Sequence, residues 1–121
     1  MRVLIIDDER SVAETLSMIL QGEGYDAATA FDGPTALQKL EFFVPDCVIS
    51  DVIMPGMNGI ELCDIIEKKH PECRILLFSG QASTHELVEK ANTAGHSWEL
   101  LAKPLDPEEL LAKLASLGTE T

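Results

Sequence analysis

The strongest constraint on this chain is a regular alternation of short aliphatic runs with stretches whose apolar residues recur at helical spacing. Arg2–Ile6 (RVLII), Tyr25–Ala30, Asp46–Ser50 (DCVIS), Arg74–Phe78 (RILLF) and Trp98–Ala102 read as strands. The β-branched and Leu content of the first suits a strand covered on both faces. Arg10–Gln21 sets Val12, Leu16, Ile19 and Leu20 on one helical face, with Gly22 as the stop. Asp32 caps a second helix, with Pro34 in its first turn and Ala36, Leu37 and Leu40 inward. Asn58 and Glu61 form a reciprocal cap for a third, which ends near His70, before Pro71. Ser83-Thr84-His85-Glu86 is a capping box ahead of Leu87, Val88 and Ala91. Asp106-Pro107-Glu108-Glu109 opens a last helix with Leu110, Leu111, Leu114 and Leu117 on its apolar face.

Strands separated by helices imply a parallel sheet, because parallel neighbours need right-handed crossover connections. Five such βα units in 121 residues suit a flavodoxin-like, doubly wound α/β fold, (βα)5, with strand order 2-1-3-4-5. A closed eight-stranded barrel needs about twice the length. No linker or repeat divides residues 1–121, so a single domain is expected. With 9 basic against 21 acidic residues the formal charge is −12, which argues against direct binding to nucleic acid or to an anionic membrane. The longest aliphatic run, Val3–Ile6, is far below the ~20 residues of a membrane span. The same run stops at Asp7, too early for an export signal. Cys47, Cys63 and Cys73 lack C-x-x-C spacing and read as reduced thiols packed as small hydrophobes, the pattern of a cytoplasmic protein.

Polar residues collect where these strands end. In an open α/β sheet, ligands bind beyond the carboxyl ends of the strands, where the strand order reverses. The first strand runs into Asp7 and Asp8, the third into Asp51, the fourth into Ser79-Gly80 and the fifth into Lys103-Pro104. Two carboxylates ~5 Å apart repel by about 3 kcal/mol at an effective dielectric of about 20. An all-oxygen ligand set with open positions suits Mg²⁺. Lys103 supplies a point charge for a phosphate oxygen and Ser79 a hydrogen bond. Together these are the parts of an in-line phosphoryl transfer to an aspartate. Each residue also has a plainer reading: solvated acids before a helix, a turn residue before Met54-Pro55-Gly56, loop chemistry, a solvent lysine. The coincidence of four strand ends favours one site.

The segments VLIIDDE, ISDVIMPGMNG, LLFSG and LLAKPLDPEEL, in this order and spacing, resemble the receiver domain of bacterial two-component response regulators, the family of the chemotaxis regulator. The resemblance covers the whole chain. It implies that Asp51 is the phosphoacceptor, that Asp8 binds Mg²⁺ directly and Asp7 through water, and that the Ile53 backbone carbonyl completes the metal site. Ser79 matches the switch hydroxyl and Lys103 the lysine that contacts the phosphoryl group. The implied donor is a sensor histidine kinase or a phosphotransfer protein. The implied readout is a downstream protein partner on a face spanning roughly 84–117. Such a domain is a signalling phosphoacceptor that assists only its own phosphorylation and dephosphorylation. Only Gly118–Thr121 follows the last helix, so no output domain is expected within the sequence. The chain departs from the family at Leu100, where many receivers place Tyr or Phe three residues before the lysine. Trp98 stands two residues too early for that role, and Gly95–Lys103 looks one residue longer than usual. Ile53 and Gln81 match positions that flank the phosphoryl group and govern attack by water.

Two rival readings differ in kind. A Mg²⁺-dependent phosphohydrolase with an aspartyl nucleophile would place a second carboxylate where Ile53 stands, and would enclose its substrate with a cap domain. A phosphorylation-silent binding module would have no need of the acid set, Ser79 and Lys103. Gly22-Glu23-Gly24-Tyr25-Asp26-Ala27 spells a dinucleotide fingerprint, but it ends a helix and opens a strand, the reverse of what that motif requires. His70, His85 and His96 lie in separate segments without ligand spacing.

Overall fold

A computed structural model describes residues 1–80, 89, 92, 95, 98–102 and 106–118. The strands are β1 (Arg2–Ile6), β2 (Asp26–Ala30), β3 (Cys47–Asp51), β4 (Arg74–Ser79) and β5 (Glu99–Ala102). The helices are α1 (Arg10–Gly22), α2 (Gly33–Lys39), α3 (Gly59–Lys69) and α4 (Pro107–Gly118). All strand pairs are parallel, as the alternation requires, and their order, β2-β1-β3-β4-β5, is that of the doubly wound fold. The helix expected after Ser83 falls outside the described residues, as do Gln81 and Lys103.

Two-sided burial explains the strand composition. Val3, Leu4, Ile5 and Ile6 are all fully buried, and successive side chains enter opposite cores. Leu4 and Ile6 join Ala36 and Leu40 of the α2 side and Leu62, Cys63 and Ile66 of α3. Val3 and Ile5 join Ala13, Leu16 and Leu20 of α1 and Leu110 and Leu114 of α4. In β4, Ile75 and Leu77 enter the first core, Leu76 and Phe78 the second. Cys47, Cys63 and Cys73 are unbridged members of these cores. Burial pushes all three thiols up, Cys73 to about 12, which keeps them protonated and unreactive. Among the described residues, no helix is long and apolar enough to cross a membrane.

Several boundaries differ from the sequence reading, and local hydrogen bonds explain those of α1, β2 and β5. α1 continues through Gly22, and the left-handed residue that ends it is Gly24, at φ 91°. There the Gly24 N–H donates to the Gln21 carbonyl and the Tyr25 N–H to the Leu20 carbonyl, closing a Schellman turn. Tyr25 is thereby consumed by the turn, so β2 starts at Asp26 and not at Tyr25. β5 starts at Glu99 and not at Trp98 because the Asn92 side-chain amide takes both Trp98 backbone groups. The Trp98 N–H donates to Asn92 Oδ1 at 3.0 Å, and Asn92 Nδ2 donates to the Trp98 carbonyl at 3.1 Å. β3 spans Cys47–Asp51 in place of Asp46–Ser50, and β4 reaches Ser79.

The caps follow the short-range signals. Asp106 Oδ1 accepts the Glu108 N–H at 3.0 Å. Asn58 Oδ1 accepts the Glu61 N–H at 2.9 Å, and the return bond, also 2.9 Å, runs from Asn58 Nδ2 to Glu61 Oε1. A Ser or Thr cap would leave that return bond to the backbone N–H. Asp32 Oδ1 accepts the Thr35 N–H at 2.7 Å, and Thr35 holds the Asp32 carboxyl below its ordinary value. Asp32→Ala is expected to cost about 1 kcal/mol at neutral pH. Because the folded-state pKa is lowered, the charge-dependent part is present above the unfolded value of 3.8 and is lost as pH falls through the folded value. Urea titrations of both proteins should therefore show a gap that narrows in acid; a gap that widens in acid would contradict this.

Candidate functional site

The register of β1 on β3 builds the site. Ile6 pairs with Ser50, so Asp7 and Asp51 leave neighbouring strands at the same edge. Asp7 is fully buried, Asp51 is 5% exposed and Asp8 is exposed. One carboxylate oxygen from each lies within 4.8 Å of the other two. The Asp7 N–H donates to the Ala30 carbonyl at 3.1 Å, which ties it to β2. Its Oδ1 accepts the Glu9 N–H at 3.0 Å, a tight turn with Asp8 on its outer side.

Asp51 is fixed from the other direction. Its Oδ1 faces the Ile53 N–H at 3.4 Å. The Val52 N–H donates to the Phe78 carbonyl at 3.2 Å, and the Gly59 N–H donates to the Val52 carbonyl at 2.8 Å. The start of α3 thus abuts the end of β3. At Gly59 an added Cβ would lie 2.1 Å from the Asp51 carbonyl oxygen and 2.9 Å from Val52 Cα. Only glycine permits that approach. Ile53, whose N–H faces Asp51, is 41% exposed.

Ser79 is the last residue of β4, buried, and paired with Ala102 of β5. Asp51 pairs with Phe78, so Ser79 lies one step beyond Asp51 along the same edge. Of the residues singled out in the sequence, Asp7, Asp8 and Asp51 come together, with Ile53 adjoining and Ser79 on the same rim. Lys103, which follows Ala102, lies outside the described residues. Leu100 is half-buried and packs into the α2–α3 core. Trp98 is buried in that core and donates from Nε1 to Glu67 Oε2 at 2.6 Å. Two features escaped sequence reasoning. Gly59 sits inside a recognised segment, but the contact that demands glycine is with a residue eight positions earlier. Trp98 reads in the sequence as the first residue of a strand and as a displaced aromatic, whereas its indole ties the segment leading into β5 to α3.

At 4.8 Å two carboxylates repel by about 3 kcal/mol at an effective dielectric of about 20. Among the described residues this is the one cluster of its kind. Its donors are all oxygens, two from buried residues and one from an exposed one, which fits a hard divalent cation with positions left open toward solvent.

The response regulator receiver domain model matches residues 3–115. The chain belongs to the response regulator receiver domain family. The DNA-binding response regulator MtrA of Mycolicibacterium paratuberculosis is 34% identical over 113 residues, covering 93% of this chain and 49% of that protein. The response regulator MprA of Mycobacterium avium is 34% identical over 121 residues, covering 100% of this chain and 52% of that protein. The chain therefore spans about half the length of these curated relatives. Among solved structures, the chemotaxis protein CheY4 of Vibrio cholerae superposes with a TM-score of 0.85 at 34% identity, covering 96% of this chain and 97% of that one.

Proposed function

We propose that Asp51 is the phosphoacceptor of a two-component relay. The observation that carries this reading is the convergence of Asp7, Asp8 and Asp51 within 4.8 Å at the carboxyl edge of a receiver-family sheet. An Asp51 carboxylate oxygen attacks the phosphorus of a phosphohistidine on a sensor histidine kinase or phosphotransfer protein. The P–N bond breaks, the imidazole leaves with a proton, and an acyl phosphate forms on Asp51. Asp7, Asp8, Asp51 and the Ile53 carbonyl would hold Mg²⁺, which neutralises charge on the phosphoryl oxygens when bound. Lys103 contacts the phosphoryl group as a point charge. Ser79 donates its hydroxyl to the new phosphoryl oxygens, and the pull on the end of β4 shifts a two-state equilibrium of the surface. That surface, roughly 84–117, serves a downstream protein partner. On this reading the chain acts catalytically only on its own phosphorylation and dephosphorylation, in the cytoplasm, through the single domain 1–121.

Intact-mass measurement after incubation with a small phosphodonor tests it. A single phosphoryl adduct that requires Mg²⁺ is expected; no adduct in the presence of Mg²⁺ would refute the reading. The exposed Ile53 side chain adds a second expectation. An aliphatic group cannot orient an attacking water, so the acyl phosphate should outlive that of Ile53→Asn. Dephosphorylation followed over time should be several-fold faster in the variant, and an equal or slower rate would remove the idea.

A further inference from the structure

α1 breaks two local rules at its first turn. Its N-cap, Glu9, makes no side-chain capping bond, and the first turn holds no acidic residue. The first helical residue is instead Arg10, a cation at the helix end that favours anions. Arg10 is exposed and has no ion pair among the described residues, although Asp8 and Glu9 directly precede it. Its guanidinium carbon lies 4.4 Å from the centroid of the Phe31 ring.

Phe31 is well placed to hold it. The ring is half-buried against the α1–α4 core. It follows Ala30, whose carbonyl accepts the Asp7 N–H, so it leaves β2 beside Asp7, on the side of β1 away from Asp51. A guanidinium stacked on a ring satisfies one face and keeps its in-plane N–H donors available, and those donors match the oxygens of a phosphoryl group. Paired with Asp8, the same cation would cancel the charge of the acids and lose its own reach. A local electrostatic conflict next to a site, relieved by an aromatic support, marks a residue kept for a ligand and not for the helix.

We propose that Arg10, supported by Phe31, is a donor-binding residue that captures the anionic phosphoryl group of the incoming donor and guides it past the rim toward Asp51. The inference rests on the reading of Asp51 as phosphoacceptor. Its ligand is the phosphoryl group itself, carried by an imidazole or by a small acyl phosphate.

Phosphorylation rates of the full chain with acetyl phosphate and with phosphoimidazole, each over a range of concentrations and ionic strengths, test it. Arg10→Gln should raise the half-saturating donor concentration roughly three- to fivefold at low salt, with the loss fading as salt screens the charge. The loss should fall on half-saturation and not on the maximal rate. Arg10→Lys, which keeps the charge, should recover most of it, and Phe31→Leu should lie between. Equal losses with both donors support recognition of the phosphoryl group; a loss with one donor alone would overturn it, because Arg10 would then be reading the carrier. If the parent chain is phosphorylated and Arg10→Gln matches it at low salt with both donors, the inference is overturned while the Asp51 reading stands. If the parent chain takes no phosphoryl group from either donor, the Asp51 reading fails and this inference with it.

Discussion

Replacing Asp51 with Asn should abolish the Mg²⁺-dependent phosphoryl adduct and, without Mg²⁺, should raise the unfolding midpoint. The first effect is total because an amide is no nucleophile toward phosphorus. The second follows from the crowding of three carboxylates within 4.8 Å, two of them buried. Removing one relieves repulsion of about 1–3 kcal/mol, allowing for partial screening at the exposed Asp8. Asn keeps the shape, and its Oδ1 can still face the Ile53 N–H. For a domain of this size about 1 kcal/mol moves the midpoint by roughly 4 °C. Thermal unfolding with and without Mg²⁺ measures both parts. The parent chain should gain more from Mg²⁺ than Asp51→Asn does, by mass action on the better site. A lower midpoint for the metal-free variant would mean that Asp51 is held by partners that outweigh the repulsion.

Gly59→Ala should destabilise the protein even though it improves the helix. Alanine at an exposed interior helical position gains about 1 kcal/mol over glycine. Here the added carbon would meet the Asp51 carbonyl oxygen at 2.1 Å and Val52 Cα at 2.9 Å, both backbone. Neither can rotate away, so the α3 start and the β3 end must separate. Overpacking of this kind costs about 1–3 kcal/mol, and occasionally more. The Gly59–Val52 hydrogen bond at 2.8 Å would lengthen at the same time. Denaturant titration should show the loss of stability. Mg²⁺ affinity should fall with it, because the strain is delivered to the residues that carry Asp51 and Ile53. A more stable Gly59→Ala would show that helix propensity, and not the close approach, governs this position.

The parts of the fold that depend on neighbours in sequence were legible. The caps at Asp32, Asn58 and Asp106 reach two or three residues along the chain, and each forms. The parallel sheet followed from the alternation and the strand order from the fit of five βα units to a doubly wound fold, and that order brought Asp7, Asp8 and Asp51 to one edge. What stayed hidden depends on groups that meet across the fold or compete for a backbone bond. Trp98 has strand composition, but Asn92, six residues away, satisfies its N–H and carbonyl. The Tyr25 N–H is taken by the Leu20 carbonyl, a backbone bond of the turn that ends α1. The contact of Gly59 with Asp51, the indole of Trp98 on Glu67 and the stacking of Arg10 on Phe31 have no periodicity to betray them. The roles assigned to Lys103 and Gln81 concern positions outside the described residues.

The strand order also sets a timetable for synthesis. All three acids are made by residue 51, before any of β4 exists. Yet Val52 is tied to the Phe78 carbonyl and Asp51 pairs with Phe78, so β3 remains an open edge until β4 joins it. A nascent chain thus holds the mutually repelling groups for some time without the strand that pins them. Because β4 ties down Asp51 and Val52, the cation affinity of the trio should report the docking of β4 and not the amino-terminal half alone.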